Sequence, residues 1–198
     1  MQYRLINKDA AQTIILLHGT GGDENDLIFL GELIDSKANI LGLRGRVNEH
    51  GMNRFFKRIR PGVFDEESLI KETKYLHTYI KNFANINHFD LDKITLIGFS
   101  NGANILASLI YHFGKQYRAF ALLHPMIPLK DFSVVEQDQN PIFISAGMND
   151  PIVDYDEVKM LKNVLTNHGA IVDFHTYKYG HSLSEKEIQD IKSWYHNI

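Results

Sequence analysis

One stretch of the chain has the residue types and spacing for covalent chemistry. Residues 94–104 read Ile-Thr-Leu-Ile-Gly-Phe-Ser-Asn-Gly-Ala-Asn, so Ser100 stands midway between Gly98 and Gly102 in a Gly-x-Ser-x-Gly pattern. An apolar run precedes it and an apolar helical segment follows. In that setting a sharp strand-to-helix turn holds out a serine hydroxyl as a nucleophile. The glycines are a steric requirement, because side chains two residues either side of the serine would keep strand and helix apart. The helix start also aims backbone N–H groups and the positive end of its dipole at the same place. The plainer reading is a tight turn with an idle serine, and the partner residues weigh against it.

A serine hydroxyl needs a base, and the base needs an acid to orient it. The apolar run 142–146 leads into Gly147-Met148-Asn149-Asp150-Pro151. Asp150 therefore falls at the carboxyl end of a strand, where α/β proteins build their sites. Asp154 and Asp156 are rivals, but they open the next helix and read as caps. Of the ten histidines, four follow Asp150. His168 falls at a helix end, His175 inside a strand and His196 close to the end of the chain. His181 follows Gly180 on the loop before the last helix, and it is the expected base.

The developing oxyanion of acyl transfer needs two backbone N–H donors. Asn101, the residue after the serine, is expected to supply one. The glycine-rich loop His18-Gly19-Thr20-Gly21-Gly22 is expected to supply the other. Such loops also cradle phosphates, but this one lacks both the Gly-Lys-Ser/Thr ending and the full Gly-x-Gly-x-x-Gly fingerprint.

These residues have to be positioned by alternating elements. Near-continuous apolar runs over 13–18, 40–43, 94–99, 119–123, 142–146 and 171–177 read as strands covered on both faces, with a further short strand at 3–6. Helices are expected over 26–34, 66–83, 103–113 and 155–168. A last helix starts at Ser184, three residues before Glu187 in the capping-box spacing. Alternation of this kind predicts a mostly parallel sheet with helices on both faces. Residues 48–64 and 127–140 are the longest stretches without a predicted element.

At 198 residues and 44% hydrophobic composition the chain is expected to form one domain, 1–198, with a sizeable core. A net charge of −3 argues against nucleic acid as a partner. Arg54, Lys57, Arg58 and Arg60 form one basic cluster, read as a solvated face ahead of a binding patch. The absence of cysteine excludes disulfides, thiolate metal sites and a cysteine nucleophile. With no apolar stretch near 18 residues and no secretory pattern at Met1–Asn7, a cytoplasmic chain without stable membrane insertion is expected.

The segments Leu17-His18-Gly19-Thr20-Gly21-Gly22, Leu43-Arg44-Gly45 with Gly51 and Phe55-Phe56, Gly98-Phe99-Ser100-Asn101-Gly102, Asp150-Pro151 and Gly180-His181 occur in that order. Together they resemble the small bacterial carboxylesterase/phospholipase family, which is related to the acyl-protein thioesterases. The Arg-Gly and Gly–aromatic segment resembles a subgroup of Gram-positive hydrolases associated with quinone stress. The resemblance implies an α/β-hydrolase core without a lid domain, Thr20 and Asn101 as the oxyanion pair, and neither metal nor organic cofactor. It also implies a tendency to form homodimers. Many members have Gln after the nucleophile where this chain has Asn101, and in many a helix occupies the region of 127–140.

The expected chemistry is hydrolysis of small carboxylic esters with short or medium acyl chains, through an acyl-enzyme formed by Ser100, His181 and Asp150. Thioesterase or lysophospholipase action shares the same core, and a silent binding module is the non-enzymatic alternative. Met52, Phe55, Phe56, Ile152 and Leu183 flank the site in sequence. They are expected to line an acyl groove, although each also fits ordinary core. Because the base must be neutral, activity is expected to rise with pH through an ordinary imidazole value of about 6.5. A rate profile flat between pH 5 and 8 contradicts this.

Overall fold

A computed structural model describes residues 1–60 and 62–198. The elements are β1 (Tyr3–Ile6), β2 (Thr13–Leu17), α1 (Ile28–Ile34), β3 (Asn39–Leu43), β4 (Val47–Glu49), β5 (Met52–Arg54), β6 (Arg58–Arg60) and β7 (Val63–Phe64). They continue as α2 (Glu66–Asn87), β8 (Ile94–Phe99), α3 (Asn101–Phe113), β9 (Ala119–Leu123), β10 (Pro141–Gly147), α4 (Tyr155–Asn167), β11 (Ile171–Tyr177) and α5 (Glu185–Asn197). Seven strands form one sheet in the order β1-β3-β2-β8-β9-β10-β11. Only β1 runs antiparallel, pairing with β3 at the edge.

The apolar runs in the central strands are continuous because both faces of the sheet are covered. Along β2, Ile15 and Leu17 join the larger core, while Ile14 and Leu16 join the other. The larger core takes Leu69, Leu76 and Ile80 of α2, most of α3, and Val158, Leu161 and Leu165 of α4. The smaller core takes Ile28, Leu30 and Ile34 of α1 with Ile191, Trp194 and Tyr195 of α5. This is the α/β-hydrolase arrangement. Asp65 caps α2 by accepting from Ser68 N–H, and Ser184 and Glu187 close a reciprocal capping box on α5. Among the described residues no helix is long and apolar enough to cross a membrane.

Two stretches differ from the sequence expectation. The described residues of 48–64 contribute to two short antiparallel pairs, β4–β5 and β6–β7, where the sequence predicts no element; residue 61 lies outside the described residues. Arg54 lies within the first of them. Its side chain is buried and pairs with Glu49 at 3.1 Å, so the basic cluster is split and is not one solvated face.

Residues 127–140 contain no helix, yet they are anchored. Leu129 and Val134 enter the larger core, and the buried Gln137 donates through Nε2 to the carbonyls of Ile110 and Val135 at 3.1 and 2.8 Å. Its own backbone N–H donates to His168 O at 2.8 Å. Gln137 shares this anchoring with Ile127 N–H to Glu157, Lys130 N–H to Glu66 and Val135 N–H to Tyr111 O, so partners outside the stretch take the place of helical bonds. Gln137→Ala is expected to cost about 1–3 kcal/mol in urea unfolding. An unchanged midpoint would remove Gln137 from this anchoring role.

Candidate active site

The turn between β8 and α3 is built by contact, since neither glycine has room for a side chain. A Cβ on Gly98 would sit 2.4 Å from Gly102 O, and one on Gly102 would sit 2.2 Å from Leu17 O. Ser100 itself adopts φ 52° and ψ −112°, a left-handed conformation that costs a non-glycine residue about 1–3 kcal/mol. Ser100 N–H donates to Leu123 O at 2.9 Å, and Ser100 O accepts from Asn104 N–H at 2.9 Å. Sheet and helix together hold the strained residue in place.

The loops after β10 and β11 bring Asp150 and His181 to this hydroxyl. His181 Nε2 lies 2.8 Å from Ser100 Oγ, and His181 Nδ1 lies 2.7 Å from Asp150 Oδ2. Asp150 Oδ1 accepts from the N–H groups of Ile152 and Val153 at 2.8 and 3.0 Å. Burial alone would push this carboxyl up. The hydrogen bonds from His181, Ile152 N–H, His124 and Val153 N–H outweigh it and hold the group below the usual carboxylate range.

The rival residues are placed elsewhere. Asp154 caps α4, Asp156 pairs with Lys159, and His175 pairs with Asp173. His168 ends α4, and His196 meets the carbonyl of Ile34.

Asn101 opens α3 directly after Ser100, and Thr20, on the loop after β2, lines a cavity together with His181. Among the described residues neither donates its backbone N–H to another backbone group. One segment, β5 and the residue after it, clamps the Thr20 loop and the start of α3. Asn53 O accepts from Gly21 N–H at 2.9 Å, and Asn53 Nδ2 donates to Gly22 O at 2.9 Å. Arg54 Nη1 donates to Thr20 Oγ1 at 2.7 Å. Phe55 N–H donates to Asn101 Oδ1 at 2.7 Å, which gives the asparagine after the serine a packing task of its own. From the other side, His18 Nε2 accepts from Gly45 N–H at 3.0 Å and Nδ1 meets Gly19 O at 2.5 Å. Burial pushes the His18 imidazole down, which suits the neutral tautomer that this pair of contacts needs.

A cavity of about 400 Å³ opens beside His181, lined by Thr20, Leu27, Phe29, Phe99 and Leu183 among others. Of the five residues expected to form an acyl groove, Leu183 is at this cavity and Met52 lies against Gly21. Ile152 is 61% exposed and points to solvent. Phe55 and Phe56 are buried in the larger core, where Phe55 packs on His18 and Phe56 on Phe64, so they support the loops and line no groove. A larger cavity of about 620 Å³ lies between α3, α4 and residues 127–134, and none of Ser100, Asp150 and His181 reaches it.

Sequence reasoning missed Leu27 and Phe29 at the cavity, the Asn53–Arg54 clamp, and His124. The last carried a signal, since His124-Pro125 follows the carboxyl end of β9 just as Asp150 follows β10. Among the described residues no cluster of metal-ligating side chains stands apart from the hydrogen-bonded group of His124, Asp150 and His181.

The fold and this arrangement of side chains define an α/β-hydrolase. The profile of the phospholipase/carboxylesterase family matches residues 59–197, and the chain belongs to that family. It is 40% identical over 182 residues to a Bacillus subtilis protein that carries the name hydrolase MhqD, covering 92% of this chain and 91% of that one. The crystal structure of the Bacillus cereus carboxylesterase superposes with a TM-score of 0.96 at 41% identity, covering 100% of this chain and 94% of the other. Acyl-protein thioesterase 1 of Debaryomyces hansenii is 27% identical over 216 residues, covering 96% of this chain and 93% of that one.

Two outcomes are expected from this geometry. Asn101→Ala strands the buried Phe55 N–H and should lower stability by about 1–3 kcal/mol in chemical denaturation. A variant as stable as the parent would show that the clamp is idle. The depressed Asp150 value contributes stability above the unfolded-state value of about 3.9, which is lost as pH falls through the lower folded value. Asp150→Asn should therefore lose stability less steeply than the parent below pH 4, and parallel curves in acid would contradict this.

Proposed function

We propose that the chain is a serine carboxylesterase acting on small esters of short or medium acyl chains. The observation that carries the reading is the continuous hydrogen-bonded line from Ser100 Oγ through His181 to the buried Asp150. Ser100 Oγ bonds to the ester carbonyl carbon while His181 Nε2 takes its proton. The carbonyl π pair moves onto oxygen, and the N–H groups of Thr20 and Asn101 donate to the oxyanion so formed. His181 then protonates the leaving alkoxide as the C–O bond breaks, and an acyl-enzyme remains. Water repeats the sequence on the ester of Ser100 and releases the acid. Asp150 accepts from Nδ1 throughout, fixing the tautomer and stabilising the imidazolium.

The cavity beside His181, about 400 Å³ and largely apolar in its lining, supports an acyl chain of modest length. Thioesters enter the same chemistry with a better leaving group, and the relative named acyl-protein thioesterase 1 is the reason to test them. A cytoplasmic setting belongs to the proposal, in keeping with a chain that has no cysteine.

The deciding experiment is labelling with a fluorophosphonate probe, followed by turnover of matched ester and thioester series of increasing chain length. Labelling is expected in the parent and absent in Ser100→Ala, with kcat/KM highest at short or medium chains. A folded parent that takes no label would defeat the serine assignment. A maximum at long chains would defeat the chain-length assignment and leave the chemistry standing.

A further inference from the structure

A fourth and a fifth ionisable side chain continue the line beyond Asp150. His124, at the carboxyl end of β9, is fully buried, and its Nδ1 lies 3.0 Å from Asp150 Oδ2, the same oxygen that meets His181. Its Nε2 faces Glu187 Oε2 at 3.5 Å and has no other partner. Glu187 comes from α5 and is 1% exposed. The titratable groups that face the His124 ring are Asp150 from the loop after β10, Glu187 from α5, and His181, whose ring lies 5.4 Å away in an edge contact. Phe99 of β8 closes the remaining side at 5.7 Å.

This geometry restricts where protons can be. An ionised Asp150 only accepts, so His124 Nδ1 carries a hydrogen. A bare Nε2 lone pair aimed at a buried carboxylate would be repelled and left unsatisfied, while Glu187 Oε2 already accepts from Ser184 N–H. A hydrogen on Nε2 turns that repulsion into attraction across 3.5 Å, and a buried carboxylate persists where a charge of opposite sign compensates it. We propose that His124 is held as an imidazolium between Asp150 and Glu187, and that as a positioning residue it locks the Asp150 carboxylate for His181. Two carboxylates against one imidazolium leave a net charge of −1, so Asp150 keeps its pull on His181. Burial would lower the His124 value, but Glu187 and then Asp150 outweigh it and the group is raised, in agreement with the geometry.

His124 adopts φ 53° and donates its N–H to Ser145 O at 3.1 Å. Glu187 has a second task, since as the N3 residue of the α5 capping box it reaches back to Ser184. Glutamine serves equally at that position, so Glu187→Gln removes the charge and spares the helix start.

The proposal rests on the serine-hydrolase reading for its kinetic consequence but not for its protonation state, and the tests separate the two. NMR of imidazole-labelled protein should show His124 doubly protonated at pH 7 in the parent and in Ser100→Ala. In Glu187→Gln its deprotonation should move to lower pH. A neutral His124 at pH 7 in the parent would overturn the proposal whatever the activity.

His124→Leu should lower kcat about a hundredfold with KM little changed. His124→Asn, which returns a neutral donor near the Nδ1 position, should recover about tenfold of that loss. With the positive charge gone from beside Asp150, its kcat/KM should also rise with pH at a higher pH than the parent's. Unchanged kcat in folded His124→Leu would overturn the positioning role, and if that variant does not fold, the His124→Asn profile decides. Activity surviving in Ser100→Ala would instead defeat the nucleophile assignment and leave the NMR result intact.

Discussion

Everything at the candidate active site depends on how closely β8 and α3 approach. Ser100 sits in a left-handed conformation that no short peptide would keep, and it persists because two glycines let the backbones of β8, α3 and the end of β2 touch. The cost of that turn is met by burial on both sides, for α3 is buried from Asn101 to Tyr111 and β8 from Ile94 to Gly98's neighbour Ile97. Such strain is stable only inside a structure that over-determines it. A doubly covered parallel sheet supplies that over-determination, and it also leaves its strand ends free to carry loops.

Those loops carry the remaining groups in spatial order. Ser100, His124 and Asp150 follow β8, β9 and β10, which are neighbours in the sheet, and His181 follows β11 beside them. Asp150 is the point where they converge: two backbone N–H groups take one carboxylate oxygen and two imidazoles take the other. The loop carrying Thr20 and the helix start carrying Asn101 come from different parts of the chain, and the β4–β5 hairpin ties them together through Asn53, Arg54 and Phe55. That hairpin is therefore part of the site's framework even though it lies outside the main sheet.

What could be read from the sequence follows from what local pattern encodes. Strand runs, helix faces and the Gly-x-Ser-x-Gly turn are set within a few residues, so their places were legible. So was the position of Asp150 after β10, against Asp154 and Asp156, because caps and strand ends carry different local signals. Lateral contacts are a different matter. Nothing near His124 in sequence names Asp150 or Glu187, and only the adjacency of β9 and β10 and the return of α5 bring them together. The aromatic pair Phe55-Phe56 looked like groove lining because the side to which a loop turns its rings depends on what lies beneath. Here His18 and Phe64 lie beneath. Residues 127–140 lack helical periodicity because their backbone groups bond one by one to distant partners, among them Glu157, Glu66, Tyr111 and Gly169.

The line of strand ends makes turnover sensitive to alignment. Neighbouring parallel strands are aligned by their hydrogen-bond ladders, such as Ile142 opposite Phe120 and Ile144 opposite Leu122, and by the packing of both faces. A slip of β10 by one residue would carry the Asp150 loop about 3.3 Å along the strand and exchange the two faces of every side chain on it. Such a form could remain compact and helical, and circular dichroism would register little. Under the proposed chemistry it would be silent, since the hydrogen bonds through His181 and His124 tolerate no such displacement. Recovery of hydrolysis after refolding would then count molecules with all four strand ends aligned, distinguishing correct registry from mere collapse.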